Sequence, residues 1–131
     1  MTFKLGENLP IAPDSLSIKD VLVKVSHIKR RSGAVILVDQ NQKMSGIFAD
    51  SDLRRLLTTH GASILEKPMR ELMTKNPKKI SGDALASEVM AIMKQFRIDE
   101  VPVVDAENRP VGLIDVQDLV VLKMFDVEPE S

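Results

Sequence analysis

The stretch Val35-Ile-Leu-Val-Asp39, which runs on to Gly46-Ile-Phe-Ala-Asp-Ser-Asp-Leu53, recurs in similar form later in the chain. The second copy is Val101-Pro-Val-Val-Asp105, which runs on to Gly112-Leu-Ile-Asp-Val-Gln-Asp-Leu119. Corresponding residues of the two copies are 66 positions apart, as Gly46 and Gly112 are. One folding unit present twice predicts pseudo-twofold symmetry and paired sites.

Composition limits the function classes. A chain of 131 residues that is 44% hydrophobic can bury one ordinary core, so we expect one compact unit. A net charge of −1 and only four aromatic residues, all Phe, argue against nucleic-acid binding. The absence of cysteine excludes disulfides and Cys-ligated metals, and is compatible with a cytoplasmic protein. No apolar run is long enough for a bilayer, so we expect no membrane partner.

The first copy has the pattern strand, helix, strand, strand, helix. Ser17, with Asp20 three residues later, resembles a capping box and predicts the start of the first helix. The continuous apolar run at 34–38 is typical of a strand buried on both faces. The predicted elements are an entry strand at Leu9–Ile11, a helix from Ser17, strands at Ala34–Val38 and Met44–Phe48, and a helix at Asp50–His60 that stops at Gly61.

The second copy repeats this order. Asp83 is the predicted N-cap of its first helix. The apolar face of that helix is predicted to comprise Leu85, Val89, Ile92 and Phe96. The other elements are an entry strand at Lys79-Ile80, strands at Val101–Val104 and Pro110–Ile114, and a last helix at Val116–Phe125.

Together these elements predict an α/β (α+β) fold in which two β-α-β-β-α repeats pack with pseudo-twofold symmetry into one compact module. We assign repeat one to residues 1–62, a linker with a short helix to 63–75, and repeat two to 76–131. Copy one has three additional residues, near 29–33, between its first helix and its core strand.

The last helix is apolar on nearly all sides between Leu119 and Phe125. A helix of this kind must bury both faces. Either it packs under the other copy, or it forms a subunit interface. The second reading predicts a homodimer or higher homo-oligomer, because a chain of this size has little interior to cover that face.

These motifs resemble a tandem pair of cystathionine-β-synthase-type (CBS) domains, also called a Bateman module. The carrying residues are Asn76-Pro-Lys-Lys-Ile80, Val101-Pro-Val-Val-Asp105 and the two segments Gly46–Asp52 and Gly112–Asp118. Within that family, Gly46–Arg55 and the leader Lys4–Pro10 are similar to the CBS pair of arabinose 5-phosphate isomerases. The resemblance implies that a catalytic sugar-isomerase domain precedes the pair, and nothing in this chain matches such a domain. We therefore expect a regulatory fragment or, alternatively, a stand-alone relative.

The resemblance also implies a nucleotide site in a cleft between the copies. The family places Thr or Ser at the start of the second helix, where free N–H groups favour an anion, and Asp one turn later on the ribose hydroxyls. Asp52 and Asp118 match the ribose position. The hydroxyl position is Ala49 in copy one and Asp115 in copy two, and both depart from the family pattern.

These departures favour the first cleft for a phosphate-bearing ligand. Asp115 would repel a phosphate, although it can instead cap the last helix, whereas Ala49 only loses one hydrogen bond. Arg54 and Arg55 would then lie near the phosphate, unless both are ordinary solvated charges. The base would rest on Ile11, Ala34 and Val35 in the first cleft and on Ile80 and Val101 in the second, although Val35 and Val101 also suit plain core packing.

Three function hypotheses follow. The first is a regulatory module that senses a nucleotide or nucleotide-sugar, such as CMP-Kdo, CMP or an adenine nucleotide, and controls an attached or partner isomerase of the lipopolysaccharide pathway. The second is a ligand-free oligomerisation module with degenerate clefts. The third, an enzyme, lacks support because no catalytic set or metal-ligand spacing is present; His27 and His60 do not form one. No cofactor is expected beyond a bound nucleotide.

Overall fold

The computed structural model describes residues 9–26, 28 and 33–115. Its elements, in chain order, are β1 (Ile11–Pro13), α1 (Ile18–Val25), β2 (Ala34–Val38), β3 (Met44–Ala49), α2 (Asp50–His60), a 3-10 helix (Ala62–Glu66), α3 (Met69–Leu72), β4 (Thr74–Lys75), β5 (Ile80–Ser81), α4 (Ala86–Phe96), β6 (Glu100–Val104) and β7 (Pro110–Asp115). The predicted mixed α/β class is confirmed.

Two sheets repeat the same pairing. The first has the order β1-β2-β3-β4, and the second has the order β5-β6-β7. In each sheet the entry strand is parallel to the core strand, which pairs antiparallel with the strand that follows it. Ala34 lies opposite Ala49 in the first sheet, and Glu100 lies opposite Asp115 in the second. Both members of the second pair follow their counterparts by 66 residues, so the internal repeat extends to strand register.

The entry strands show a different offset. Ala12 pairs with Leu37, and Ile80 pairs with Val103, which is the counterpart of Leu37. Ile80 therefore occupies the position of Ala12 and lies 68 residues after it. The additional segment of copy one therefore has two residues, not the three that the sequence suggested. Ile80 corresponds to Ala12, and the counterpart of Ile11 is Lys79.

Both helices of copy one begin where the sequence predicts, and α1 has the predicted cap. The Ser17 hydroxyl accepts a 3.1 Å hydrogen bond from the Asp20 N–H at the start of α1. α2 begins at Asp50 and ends before Gly61, which adopts a positive φ of 80° that L side chains rarely take.

The prediction for α4 was partly wrong. Asp83 does not cap it: the helix begins at Ala86 with Leu85 as its N-cap, and the Glu88 carboxylate accepts from the Leu85 N–H at 2.7 Å. Val89 is buried as expected, but Leu85 is 66% exposed and Phe96 is 42% exposed. The Phe96 ring instead lies under the Lys78 ammonium. Because α4 begins later than predicted, Leu85 precedes the helix, and its side chain is not part of the buried helix face.

The segment between the copies folds onto copy one. Ile64, Met69 and Met73 are buried in the core of the first copy. The Met69 N–H donates to the Leu16 carbonyl at 2.7 Å, which ties the segment to the loop before α1. The short helix predicted here is α3, whereas β4 was not predicted. A strand of two residues has too few positions to show alternation.

β4 explains why residue 46 is glycine. A Cβ atom on Gly46 would lie 2.8 Å from the backbone carbonyl oxygen of Thr74 and 2.5 Å from the Met73 sulfur. The β4 backbone can therefore approach β3 only where no side chain intervenes.

Three apolar cores hold the molecule together. One lies between the first sheet and its helices, and a second lies between the second sheet and α4. The third joins the copies: Ile36 and Met44 of copy one pack with Val104 of copy two. The copies are also bonded directly, since the Met44 N–H donates to the Asn108 carbonyl at 2.8 Å. The last predicted helix, residues 4–8 of the leader and Asp118 lie outside the described residues. Within the described ranges, no helix has the length and apolar character needed to cross a bilayer.

Candidate functional site

The face between the copies is set by strand alternation. Val35 and Leu37 of β2 point into the helix-side core, and Ile36 points into the core between the copies. Alternation places Ala34 on the same face as Ile36. Ala49, its register partner, lies at the junction of β3 and α2. The two alanines therefore border the inter-copy face at the start of α2.

Copy two carries acids at the same two places. Glu100 and Asp115 are register partners at the ends of β6 and β7. Asp115 is 6% exposed, and Glu100 is half-buried. Glu100 was missed in the sequence, although it lies 66 residues after Ala34 and could have been found by extending the repeat by one residue.

Carboxylates from both copies contribute to a raised pKa of Glu100. Burial, which disfavours the charged form, is the main cause that raises the pKa of Glu100. The charges of Asp99 and Asp115 of copy two raise it further, followed by those of Asp50 and Asp52 of copy one. The start of α2 therefore lies near the start of β6 across the inter-copy face. We call these five residues, Asp50, Asp52, Asp99, Glu100 and Asp115, the acidic rim.

Asp52, the predicted ribose ligand, also satisfies a backbone donor at the start of α2. Its Oδ2 accepts a 2.9 Å hydrogen bond from the Ala49 N–H, one of the donors left free at a helix start. Its Oδ1 accepts from the Arg55 guanidinium at 3.3 Å. The side chain stays 25% exposed, so a ligand can reach it but would share these acceptors.

The two predicted phosphate-binding residues differ in their surroundings. Arg54 and Arg55 are both exposed on α2. Arg55 is paired with Asp52, whereas among the described residues Arg54 makes no ion pair. A phosphate could reach the Arg54 guanidinium without breaking an existing ion pair.

The predicted base-binding residues divide into two groups. Val35, Ile80 and Val101 are buried in the helix-side cores of their own copies. Ile11 packs against the core between the copies, and Ala34 is fully buried. The structure therefore brings Ile11, Ala34, Ala49 and Asp52 to the inter-copy side, and places the other three where their side chains already have apolar partners. Their roles in binding stay predictions.

An open groove of about 500 Å³ lies elsewhere, between β5 and the start of α4. Of the predicted site residues, only Ile80 lines it. Its carboxylates are engaged locally: Asp83 accepts from the Ser81 hydroxyl, and Glu88 caps α4. In the part of the chain that the structure describes, no group of three or more His, Cys, Asp or Glu side chains could hold a metal ion, and the acidic rim is no exception.

The CBS domain family model matches residues 69–123. Arabinose 5-phosphate isomerase KdsD of Pseudomonas aeruginosa is 33% identical over 115 residues, which cover 88% of this chain and 34% of that protein. The chain thus spans about a third of the length of this relative.

Solved structures agree with this fold. The CBS-domain containing protein ATU1752 of Agrobacterium tumefaciens superposes with a TM-score of 0.76 at 27% identity, covering 88% of this chain and 89% of that one. The CBS domain pair of protein MJ0100, solved in complex with 5′-methylthioadenosine and S-adenosyl-L-methionine, also gives 0.76, at 25% identity, with 97% and 99% covered. With its two repeated sheets and their matching register, the chain is a tandem pair of CBS domains, with homologues named arabinose 5-phosphate isomerase KdsD.

Proposed function

We propose that the chain is a regulatory module that binds a nucleotide or nucleotide-sugar between its two copies and controls a sugar-phosphate isomerase. The observation that carries the proposal is the 33% identity with KdsD over 88% of this chain. The MJ0100 pair, which covers nearly the whole chain, is solved with two adenosine compounds and supports a nucleoside-type ligand. CMP-Kdo, CMP and adenine nucleotides are the candidates. The isomerase domain would be joined to the pair or bound to it.

The inter-copy face offers suitable groups for part of such a ligand. Asp52 can accept hydrogen bonds from ribose hydroxyls, and Arg54 can pair with a phosphate. Ala34 and Ala49 have small side chains, so they would obstruct a ring beside the start of α2 less than larger residues would. Asp99, Glu100 and Asp115 of copy two oppose a phosphate placed beside β6, so we expect the phosphate near Arg54 on α2, away from β6.

Calorimetric titration with AMP, ATP, CMP and CMP-Kdo tests the proposal. Asp52→Ala should abolish saturable binding, but it also removes the helix cap on Ala49. Glu88→Ala is the matched control, because it removes the equivalent cap on Leu85 in α4, away from the inter-copy face. Loss of binding in the first variant and not in the second supports the assignment. Equal affinity in both variants and in the unaltered chain would contradict it.

A second function has its own support. Both oxygens of Asp52 already have protein donors, and Glu100 and Asp115 replace two alanines in the second copy. These features suit a module with degenerate clefts that only assembles an isomerase into oligomers. A folded chain that binds none of the four ligands and sediments as a dimer or tetramer would favour this alternative.

A further inference from the structure

The loop before the first helix of copy one is covered by a segment from the connection between the copies. This covering segment, Lys67–Arg70, begins with extended backbone at Lys67 and Pro68. Pro68 forms an isolated β-bridge with Ser17, the N-cap of α1. Three backbone hydrogen bonds hold it: the Ile18 N–H donates to the Lys67 carbonyl at 3.1 Å, the Met69 N–H to the Leu16 carbonyl at 2.7 Å, and the Arg70 N–H to the Asp14 carbonyl at 2.9 Å.

The equivalent loop of copy two has no such cover in the part of the chain that the structure describes. The offset of 68 residues between the entry strands also relates the first residues of α1 and α4, Ile18 and Ala86. The counterparts of the three bonded groups of the loop are therefore the Ala86 N–H and the carbonyls of Ala84 and Gly82. Among the described residues none of these three groups has a hydrogen-bond partner.

The open groove of about 500 Å³ between β5 and the start of α4 lies at this uncovered loop. Ala84 and Leu85 line it. Leu85 is the counterpart of Ser17, which Pro68 contacts in copy one, yet its side chain is 66% exposed. A bound peptide gains affinity from backbone hydrogen bonds and specificity from side-chain contacts, and the groove offers both.

Charge indicates what kind of segment fits the groove. Asp83 and Glu88 line it, and none of the described residues in its lining is a lysine or an arginine. The covering segment of copy one, Lys67-Pro-Met-Arg70, carries two positive charges and no negative one. A segment of this composition would therefore be complementary to the groove in charge.

We propose that the groove binds an extended, basic segment of a partner protein in the way that copy one binds its covering segment. A carbonyl of the bound segment accepts from the Ala86 N–H, and two of its N–H groups donate to the carbonyls of Ala84 and Gly82. The residue in the place of Pro68 lies against Leu85. A second copy of this chain cannot supply its own covering segment, because Met69 is fully buried in the first core.

An NMR titration of the isotope-labelled full chain with a synthetic peptide tests the proposal. The peptide has the sequence of residues 64–71 and is blocked at both ends. We expect saturable shifts at the amides of Gly82, Leu85 and Ala86, and no comparable shift at Ile18, whose N–H is already bonded. A second peptide, with glutamate in place of the lysine and the arginine, should bind at least about fivefold more weakly, because its charge opposes that of the groove.

Ala86→Pro removes the N–H that the segment would bind. The variant should still fold, because proline is accepted at the first position of a helix and the preceding Leu85 has extended backbone, with φ −81° and ψ 152°. We expect about fivefold weaker binding of the first peptide, as for the loss of one hydrogen bond. Ser87→Ala is the matched control: it alters the neighbouring exposed residue, keeps all three backbone groups, and should bind like the unaltered chain.

The groove lies away from the inter-copy face, so the result does not depend on whether a nucleotide binds there. The absence of saturable shifts in the groove at millimolar peptide would overturn the proposal. Equal affinity of Ala86→Pro and the unaltered chain would also overturn it, and so would equal affinity for the two peptides.

Discussion

Met44 and Asn108 bond the two copies to each other through both backbone and side chain. The Met44 N–H donates to the Asn108 carbonyl at 2.8 Å, and the Asn108 side-chain amide donates to the Met44 carbonyl at 3.2 Å. The counterpart of Met44 in copy two is Pro110, which has no N–H, so the symmetric backbone bond from residue 110 cannot form. In the part of the chain that the structure describes, the Met44–Asn108 backbone bond therefore has no symmetric counterpart.

Replacing Asn108 should weaken the interface. Asn108 has a φ of 65°, and its counterpart Gln42 has a φ of 66°, so an alanine at either place meets the same backbone strain. We expect Asn108→Ala to lower the free energy of unfolding by about 1 kcal/mol more than Gln42→Ala does, because Asn108 gives up side-chain bonds to the Met44 carbonyl and to the Lys79 ammonium. Urea unfolding measures the difference. Equal losses would show that the two side-chain bonds of Asn108 contribute nothing.

Glu100 should make the stability of the protein depend on pH. Its pKa is raised by folding, so the native state binds its proton more tightly than the unfolded state does. The free energy of unfolding should fall as the pH rises from about the ordinary value of 4.5 through the raised value. Glu100→Gln removes this loss of stability. The variant should therefore exceed the unaltered protein in free energy of unfolding by more at pH 7 than at pH 4.

Urea midpoints across this pH range measure the effect of Glu100. Glu107→Gln is the control, because Glu107 is exposed in the turn between β6 and β7. An advantage of Glu100→Gln that does not change with pH would rule out the explanation.

Met69→Ala should show that the segment between the copies belongs to the first core. Met69 is fully buried. Truncation should cost about 2–4 kcal/mol of unfolding free energy, because it removes apolar contacts and leaves a cavity. Met90→Ala on α4, where the side chain is 40% exposed, should change stability by less than about 1 kcal/mol. A similar small change at both positions, measured by thermal unfolding, would be inconsistent with this packing.

Arg54 should affect ligand binding but not stability. Its exposed guanidinium has no ion-pair partner among the described residues, so Arg54→Ala should change the free energy of unfolding by less than about 0.5 kcal/mol. In the same variant, affinity for a phosphate-bearing ligand should fall about tenfold, since a charge-assisted hydrogen bond is lost. Lys94→Ala, which removes an exposed charge from α4, provides the control. Calorimetry that finds identical affinities for the two variants would remove Arg54 from the site.

Much of the fold could be predicted from the sequence, because the signals for these elements lie within short stretches of residues. The apolar run at 34–38 indicates a buried strand. Ser17 indicates the start of α1, and the glycine after α2 indicates its end. β4 was missed because a strand of two residues shows no alternation. The start of α4 was misplaced because the Asp83 carboxylate accepts from the Ser81 hydroxyl and does not cap the helix. These elements depend on tertiary contacts that no short window contains.

The site was less predictable than the fold. The resemblance to the CBS family implied Asp52 as a ribose ligand, but the sequence did not show that its oxygens also accept from the Ala49 N–H and from Arg55. For Val35 and Val101 the sequence left both base binding and core packing open, because a continuous apolar run does not show which face each residue takes. The structure places both in the helix-side cores. Glu100 was missed because its importance arises from carboxylates on the other copy, which are distant in sequence.

An NMR titration of the isotope-labelled chain would show whether a nucleotide binds between the two copies. On addition of CMP-Kdo or AMP, we expect saturable shifts centred on the amides of Ala34, Ala49 and Asp52, with smaller shifts at Glu100. Shifts confined to the groove between β5 and α4, or none at millimolar ligand from a folded protein, would contradict a nucleotide site between the two copies.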